Sequence, residues 1–531
     1  MARINSNIPA LIARSTLTRT NKELESSIQR LSTGLRINRG ADDPAGLIVS
    51  ERLRADVRGV EQGVRNSDRA SSVIATTEAA LAEVSDLLNS IRALIVEAAS
   101  TGGNSSQERE ANQLQIDSAI DSITRISNTA SFGGLKLLNG SLDYNLSGVS
   151  ASAIAKAQVF GASFISSGQL QVDVEVLASA QVGALFVRGD LPTPGALHPG
   201  SGEPLNGTVL STTTLRIEGP RGVSEVTVVS GASLSDLAKA VNNLRSLTGV
   251  EASLLNPSDA ASGLVFRSID FGAESFVSVK RIGGPDQANS AFRTYKLPDD
   301  GAVPAYPPFP WSALTLTTAD RDSGRDVSAL VNGNLATGDG LTLSVYSPSL
   351  SVKLILDQQF ATRPSSPGND RTNTFYITGG GALFQLGPQV NANQQTNVGL
   401  QSIAASSLGG TLVDGSLQFL SSLKSGQANS IRENVQRGDF TGASDILDAA
   451  IDEVAILRGR LGAFERNVLQ TNVRSLQSAF ENLSASESQI RDADFAVETS
   501  RLTRAQILTS TGTTVLTLAN QQAQSVLQLL G

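Results

Sequence analysis

The sequence predicts an α+β protein: an antiparallel α-helical coiled-coil bundle formed by both chain termini, with β-rich variable domains inserted in the middle. Three observations carry this reading. Apolar residues recur at three- and four-residue steps over a long N-terminal stretch and again over a C-terminal one, which is the spacing of a helix face. The middle instead holds short alternating apolar runs among Gly, Ser, Thr and Pro, the pattern of half-buried strands. Each long seam also exposes a stripe that one helix cannot bury, so the two are expected to cover each other, at roughly 0.8 kcal/mol per methylene removed from water.

The elements follow in order. Ile4, Ile8, Leu11 and Leu17 begin an apolar face that Leu24, Ile28, Leu31 and Leu35 continue. The segment to Arg39 reads as one amphipathic helix with a basic polar side; Gly40 is placed to end it. Asp42 or Asp43 can cap the next helix, with Pro44 near its first position, where a missing N–H costs nothing. Leu53, Val57, Val60 and Val64, then Ile74, Leu81, Val84, Leu88, Ile91 and Ile95, make a seam to about Ser100. A helix of that length points to a coiled coil. Thr101–Ser106 is a stop signal. A further helix to about Asn128 carries Ile116, Ile120 and Ile123, and the glycines of Ser131–Gly140 bracket turns and a strand.

In the middle, Leu215 and Ile217, then Val226 and Val228, alternate as in a hairpin. Ser233 can cap a helix bearing Leu234, Leu237, Val241 and Leu244. Strand-like runs return at Val250–Leu255, Leu264–Arg267 and Phe276–Ile282. Asp286–Pro310 reads as a loop or linker. Leu341–Val345 and Val352–Leu356 read as strands, and Gly379–Gly387 as a return strand. Helical periodicity resumes near Ser444 and runs through Leu447, Ile451, Val454, Leu461, Leu469, Val473, Leu476, Phe480, Leu483 and Ile490 without a proline. Arg501–Gly531 is a last amphipathic segment whose face is Leu508, Val515, Leu518, Val526 and Leu529. An apolar stripe at a free terminus is an aggregation hazard in a monomer; it makes sense if the segment orders on assembly. The expected domains are 1–43, an N-terminal helix; 44–175, N-terminal helical core with the start of a β-hairpin; 176–300, a β-rich insertion; 301–400, a second β-rich region; 401–495, C-terminal helical core; and 496–531, a C-terminal helix.

Composition argues against chemistry. The net charge of −8 offers no basic footprint for nucleic acid. There is no cysteine, so disulfides, thiolate metal sites and cysteine nucleophiles are excluded, and a single histidine, His198, cannot build a histidine metal cluster. Gly379-Gly-Gly381 lacks the Gly-Lys-Ser/Thr of a phosphate loop. Asp42-Asp43 and Asp492/Asp494 lie at helix breaks, where capping is the simpler role. Asn145-Leu-Ser and Asn206-Gly-Thr match the glycosylation sequon, a pattern common by chance. No apolar run approaches the ~20 residues of a membrane span, no cleavable signal is visible, and no stable membrane insertion is expected. The reading is of a non-enzyme without cofactor or metal.

The stretch LSTGLRINRGADDPAGLIVSERLRAD, from Leu31, resembles the N-terminal signature of bacterial flagellin. The C-terminus agrees, in Ile490-Arg-Asp-Ala-Asp-Phe-Ala-Val-Glu498, Arg504-Ala-Gln-Ile-Leu508, Leu518-Ala-Asn-Gln-Gln522 and Val526-Leu-Gln-Leu-Leu530. The resemblance covers roughly the first third and last quarter of the chain; the middle unit from Leu215 is similar to a small ββαβ insertion repeat of some flagellins and hook-associated proteins. It implies a structural subunit that self-assembles into the extracellular flagellar filament used for motility, exported unfolded by the flagellar type III apparatus without a cleaved signal. Implied partners are other copies of the chain, an export chaperone at the C-terminus, and the filament cap and hook-associated proteins. The alternatives are a hook–filament junction protein, or an adhesin acting through the middle domains. Leu88–Glu97 is similar to the flagellin segment recognised by the vertebrate innate receptor. Arg92 and Leu94 keep its pattern around Ile91, but Ser90 replaces its first arginine and Ala93 its glutamate. A charge-assisted contact is therefore missing, and weak receptor activation is expected.

Overall fold

The computed structural model describes residues 6–100, 102–164, 168–189, 204–283, 292–297, 317–347, 349–363, 371–413 and 415–528. His198, Leu529 and all of the Asp286–Pro310 loop reading except 292–297 lie outside them; within that stretch Tyr295–Lys296 is a short strand, which corrects the loop reading there. Ten α-helices occur among the described residues: α1 Ile8–Thr33, α2 Pro44–Ala99, α3 Ser106–Thr129, α4 Leu234–Asn242, α5 Arg245–Thr248, α6 Gln358–Ala361, α7 Ile431–Arg437, α8 Thr441–Phe464, α9 Gln470–Arg491 and α10 Phe495–Gln528. The remaining elements are strands and short turns of helix, and all the paired strands described are antiparallel. The fold is α+β, with helical termini and a β-rich middle.

The chain divides into two compact units. One comprises Met1–Ser71, Phe384–Thr396 and Phe464–Gly531; the other Ser72–Leu383 and Asn397–Ala463.

In the first unit, α1 stops at Thr33, where Gly34 takes φ 72° and its N–H returns to Arg30 O. The expected stop at Gly40 is therefore corrected: a residue that tolerates a left-handed backbone was available six residues earlier. Asp43 Oδ1 accepts the Gly46 N–H at 2.9 Å and so caps α2. Asp42 closes the linker instead, accepting from the Asn38 and Arg39 amides at 3.0 and 2.8 Å. The Arg39 amide bond, foremost, holds its carboxyl below the usual value. α2 and α9 run antiparallel, as Arg491–Glu51 (2.7 Å) and Asn472–Ser67 (3.1 Å) pairs require. Between α8 and α9 the chain makes a π-helical turn at Glu465–Leu469, with Glu465 bonded to Ser71 Oγ. The loop at Leu386–Pro388 lies against Gly59 and Gly63 of α2, where a Cβ would fall 2.8 Å from Pro388 Cβ and 3.0 Å from Leu386 O.

In the second unit two β cores form. One stacks the sheet ordered Asn334–Leu335, Ser328–Val331, Leu170–Ala178, Thr372–Gly380, Tyr144–Ser147 and the sheet ordered Thr337–Asp339, Thr342–Tyr346, Leu350–Leu356, Ile154–Ala162. Their inner faces bury Val172, Val174, Leu343, Val352, Leu354 and Phe375. The expected single return strand at Gly379–Gly387 is two: Gly379, Gly380 and Gly381 all have positive φ and break it between Thr372–Gly380 and Ala382–Gln385. The other core is the ββαβ unit. The hairpin of Thr213–Gly219 and Gly222–Val228, α4 capped by Ser233, and Val250–Asn256 with Asp259–Ser268 bury Leu215, Ile217, Leu237, Val241 and Phe266. The helical part of this unit buries Leu81, Leu88, Ile91, Ile116, Ile120, Ile123, Leu447, Val454 and Leu461. A capping box at Ser105 and Glu108 starts α3.

Candidate functional site on the paired terminal helices

With no alternative chemistry in view, the chain's informative site is a surface. Among the described residues no group of His, Cys, Asp or Glu could hold a metal ion, and no helix is long and apolar enough to cross a membrane.

α1 and α10 pack antiparallel: Asn7 Nδ2 donates to Ala519 O at 3.0 Å near one end, and Ser27 Oγ to Glu498 Oε1 at 2.8 Å near the other. The residues buried between them are small: Ala13, Thr20 and Ser27 on α1, Ala505 and Ala519 on α10. They recur every seven residues, and Gly512 holds the intervening place on α10, where an added Cβ would lie 3.2 Å from Leu17 Cδ1. A strict seven-residue repeat keeps one stripe facing the partner helix, and small side chains there let the backbones approach closely. Glu498, only 4% exposed, sits in this seam with Arg501 at 3.2 Å and Arg30 at 3.8 Å. A charged group buried in an otherwise small seam fixes the register, because any slip leaves it unpaired.

Several large apolar residues face outward. Ile28 is 51%, Leu508 45%, Val515 50% and Leu518 59% exposed. Leu11, Ile12 and Ile507 are exposed with them. Phe480, on α9, is also exposed. Leu24, Leu31, Leu35, Leu53 and Val57 are half-buried, whereas Leu81, Leu88, Leu469 and Leu476 are buried. The Val526 side chain and Leu529 lie outside what is described. The periodicity located the helices; the signal for the contact itself lay in the small residues of the same heptads, which an apolar count passes over.

The two linkers that join these helices to α2 and α9 are pinned to each other. Arg36 N–H donates to Arg491 O (2.7 Å), its guanidinium to Ile490 O, and Ala493 N–H to Gly34 O (2.9 Å). Asp494 Oδ1 caps α10 through the Ala496 and Val497 amides at 2.9 and 3.1 Å. The two sequence signatures thus meet in one joint. On α2, Ile91 is buried, Leu94 half-buried and Ser90 exposed, with Ser90 Oγ donating to Asp86 O at 2.9 Å. Arg92 is exposed but occupied by Asp448 at 3.0 Å.

Comparison with known proteins bears on all three regions. The model of the bacterial flagellin N-terminal helical region matches residues 4–143, that of the C-terminal helical region 444–530, and that of the flagellin hook IN motif 214–270. Similar curated proteins include flagellin of Salmonella choleraesuis, 26% identical over 553 residues, and flagellin A of Vibrio cholerae, 27% identical over 531, each covering 99% of both chains. Flagellin B of Helicobacter pylori is 26% identical with the same coverage. Among solved structures, FliC from Burkholderia pseudomallei matches 76% of this chain and 99% of its own at 15% identity, with a TM-score of 0.24, a likeness too low to carry an argument.

Proposed function

The chain belongs to the bacterial flagellin family, and from that premise we propose that it self-assembles into the flagellar filament through the outer faces of α1 and α10. It is a structural subunit of that extracellular filament and not an enzyme. The observation that supports the assembly route is the inverted seam: the small residues are used up between α1 and α10, while Leu11, Ile12, Ile28, Ile507, Leu508, Val515 and Leu518 are left in water. Each of these side chains is roughly half exposed and so forgoes on the order of half of the ~1.5–3 kcal/mol that full burial gives. A repeated, non-closing contact between copies recovers this and builds a helical fibre.

The domain organisation proposed from the sequence has the same logic: residues 1–43 and 496–531 form the inner layer, 44–175 and 401–495 the surrounding wall, and 176–400 the outer surface. Export proceeds with the chain unfolded through the type III apparatus, and the absence of cysteine suits that route. A chaperone covers the C-terminal stripe before export, and the cap and hook-associated proteins contact the filament ends. Deleting 1–39 and 501–531 tests the assignment. The shortened chain stays monomeric in sedimentation under polymerising conditions while the intact chain pellets; pelleting of both removes the terminal helices as the driving surface.

A further inference from the structure

An asparagine followed by glycine can rearrange on its own, because the glycine nitrogen has no neighbouring side chain to shield it from the asparagine Cγ. The chain has three such pairs: Asn139-Gly140, Asn206-Gly207 and Asn332-Gly333. The fold treats them differently. Asn206 and Asn332 take φ 50° and 49°, each in a two-residue hairpin turn, the usual place for Asn-Gly. The Asn332 amide is tied at both ends to the strand Leu170–Ala178: Asp173 N–H donates to its Oδ1 at 2.8 Å, and its Nδ2 donates to Gln171 O at 2.9 Å. Its Cγ cannot turn toward Gly333 until both bonds break. At Asn206 the attacking nitrogen is held instead. Gly207 is buried, its N–H donates to Gly189 O at 2.9 Å, and an added Cβ there would lie 2.6 Å from Ala260 C.

Asn139-Gly140 has none of these locks. It follows the hairpin Ser131–Phe132/Leu135–Lys136, and Asn139 is exposed. Among the described residues nothing accepts the Gly140 N–H or the Asn139 Nδ2 hydrogens. The one contact the amide makes favours attack. Ser141 N–H donates to Asn139 Oδ1 at 3.0 Å, which folds the side chain back over the Gly140 peptide and draws electron density from Cγ. We propose that Asn139 is a self-modification site, where the folded chain deamidates through a cyclic imide, and that the isoaspartyl product loosens the joint around Leu138.

The chemistry needs only water. Gly140 N gives its proton to water as it bonds to Asn139 Cγ. The Cγ–Nδ2 bond breaks, and Nδ2 takes a proton and leaves as ammonia. Water then adds to one of the two imide carbonyls. Cleavage of the new Cγ–N bond gives aspartate; cleavage at the backbone carbonyl leaves Gly140 joined through Cγ, an isoaspartyl link. One water enters, one ammonia leaves, and nothing is oxidised or reduced. The link lengthens the main chain by one carbon between two anchored points. On one side Leu138 is fully buried, and its carbonyl accepts from Ser127 Oγ at 2.6 Å and Ile403 N–H at 3.1 Å. On the other, Leu142 O accepts the Leu400 N–H at 2.9 Å.

The test incubates the intact chain at mildly alkaline pH, folded and in urea, and follows digests by mass spectrometry. In the folded chain Asn139 is expected to gain one mass unit first, with Asn206 and Asn332 slower by a factor on the order of ten, which breaking one or two net hydrogen bonds imposes. In urea the three rates are expected to converge. Equal rates in the folded chain, an earlier gain at Asn206 or Asn332, or no gain at Asn139 overturns the site; an order that persists in urea overturns its structural cause. Amide exchange at Leu400 and Ile403 is expected to quicken in the isoaspartyl fraction, and unchanged exchange overturns the loosening. Asn139→Asp adds the charge without the extra carbon and is expected to keep the parent's exchange; quickening equal to that of the isoaspartyl fraction overturns the linkage argument.

Discussion

Replacing Glu453 with alanine removes the polar anchor between α8 and the strand Ile154–Ala162. Its carboxylate accepts from Lys156 Nζ at 3.1 Å on each oxygen, from the Gly409 amide at 3.0 Å, and from Gln158 Nε2. Lys156 also donates to Ser407 O at 3.0 Å and lies 5.7 Å from the Phe419 ring centroid. The two side chains are 14% and 17% exposed. Removing one partner of a buried pair costs roughly 3–5 kcal/mol, because the other charge stays desolvated. The residual exposure and the Ser407 contact place this case near the lower end, about 3 kcal/mol. At about 2 °C per kcal/mol for a unit of this size, the melting temperature falls by roughly 6 °C. Lys156→Met combined with Glu453→Ala should recover part of that loss, since no charge is then stranded. Thermal unfolding of the monomer followed by circular dichroism reads both. A loss under about 1 kcal/mol, or a double variant worse than the sum of the singles, refutes the claim that the pair anchors α8.

Two helix glycines should respond with opposite signs to alanine. At Gly59 a Cβ meets Pro388 Cβ at 2.8 Å, so Gly59→Ala loses about 1–3 kcal/mol to overpacking. At Gly459 nothing lies within 4 Å, and Gly459→Ala gains about 0.5–1 kcal/mol; urea midpoints distinguish them. Asp42→Ala should speed amide exchange at Asn38 and Arg39. In the parent the same protection holds above the ordinary carboxylate value of 3.8 and is lost as pH falls through the lower folded one. A cell reporter for the vertebrate receptor should respond weakly to this chain and more strongly to Ser90→Arg with Ala93→Glu; an initial response equal to that of a strong flagellin refutes the reading.

Much of the architecture was legible because period and punctuation agreed. Pro44 after two aspartates, the unbroken apolar steps to Ser100, and Ser233 before Leu234 each join a cap to a periodic run, and α2 and α4 follow those signals closely. The end of α1 was misjudged because two glycines, Gly34 and Gly40, compete for the stop, and only the pairing of Gly34 with Ala493 decides between them. α7 carries too few apolar steps to register as a helix by pattern. It is held by Gln113, whose Oε1 accepts the Ile431 amide at 2.8 Å, a partner more than three hundred residues away. The residues of the terminal contact itself were not legible in the sequence, for a different reason. Leucine periodicity reports which face is apolar, not what covers it, and in α1 and α10 the covering helix selects alanine, serine, threonine and glycine.

The most direct test of the account is electron microscopy of the intact chain beside Leu508→Asp/Leu518→Asp under polymerising conditions. The charges fall on the outer face of α10, away from its seam with α1, so the monomer's circular dichroism should be unchanged. The account predicts long filaments from the intact chain and none from the variant. Filaments of normal length from the variant would contradict it, as would an intact chain that never polymerises.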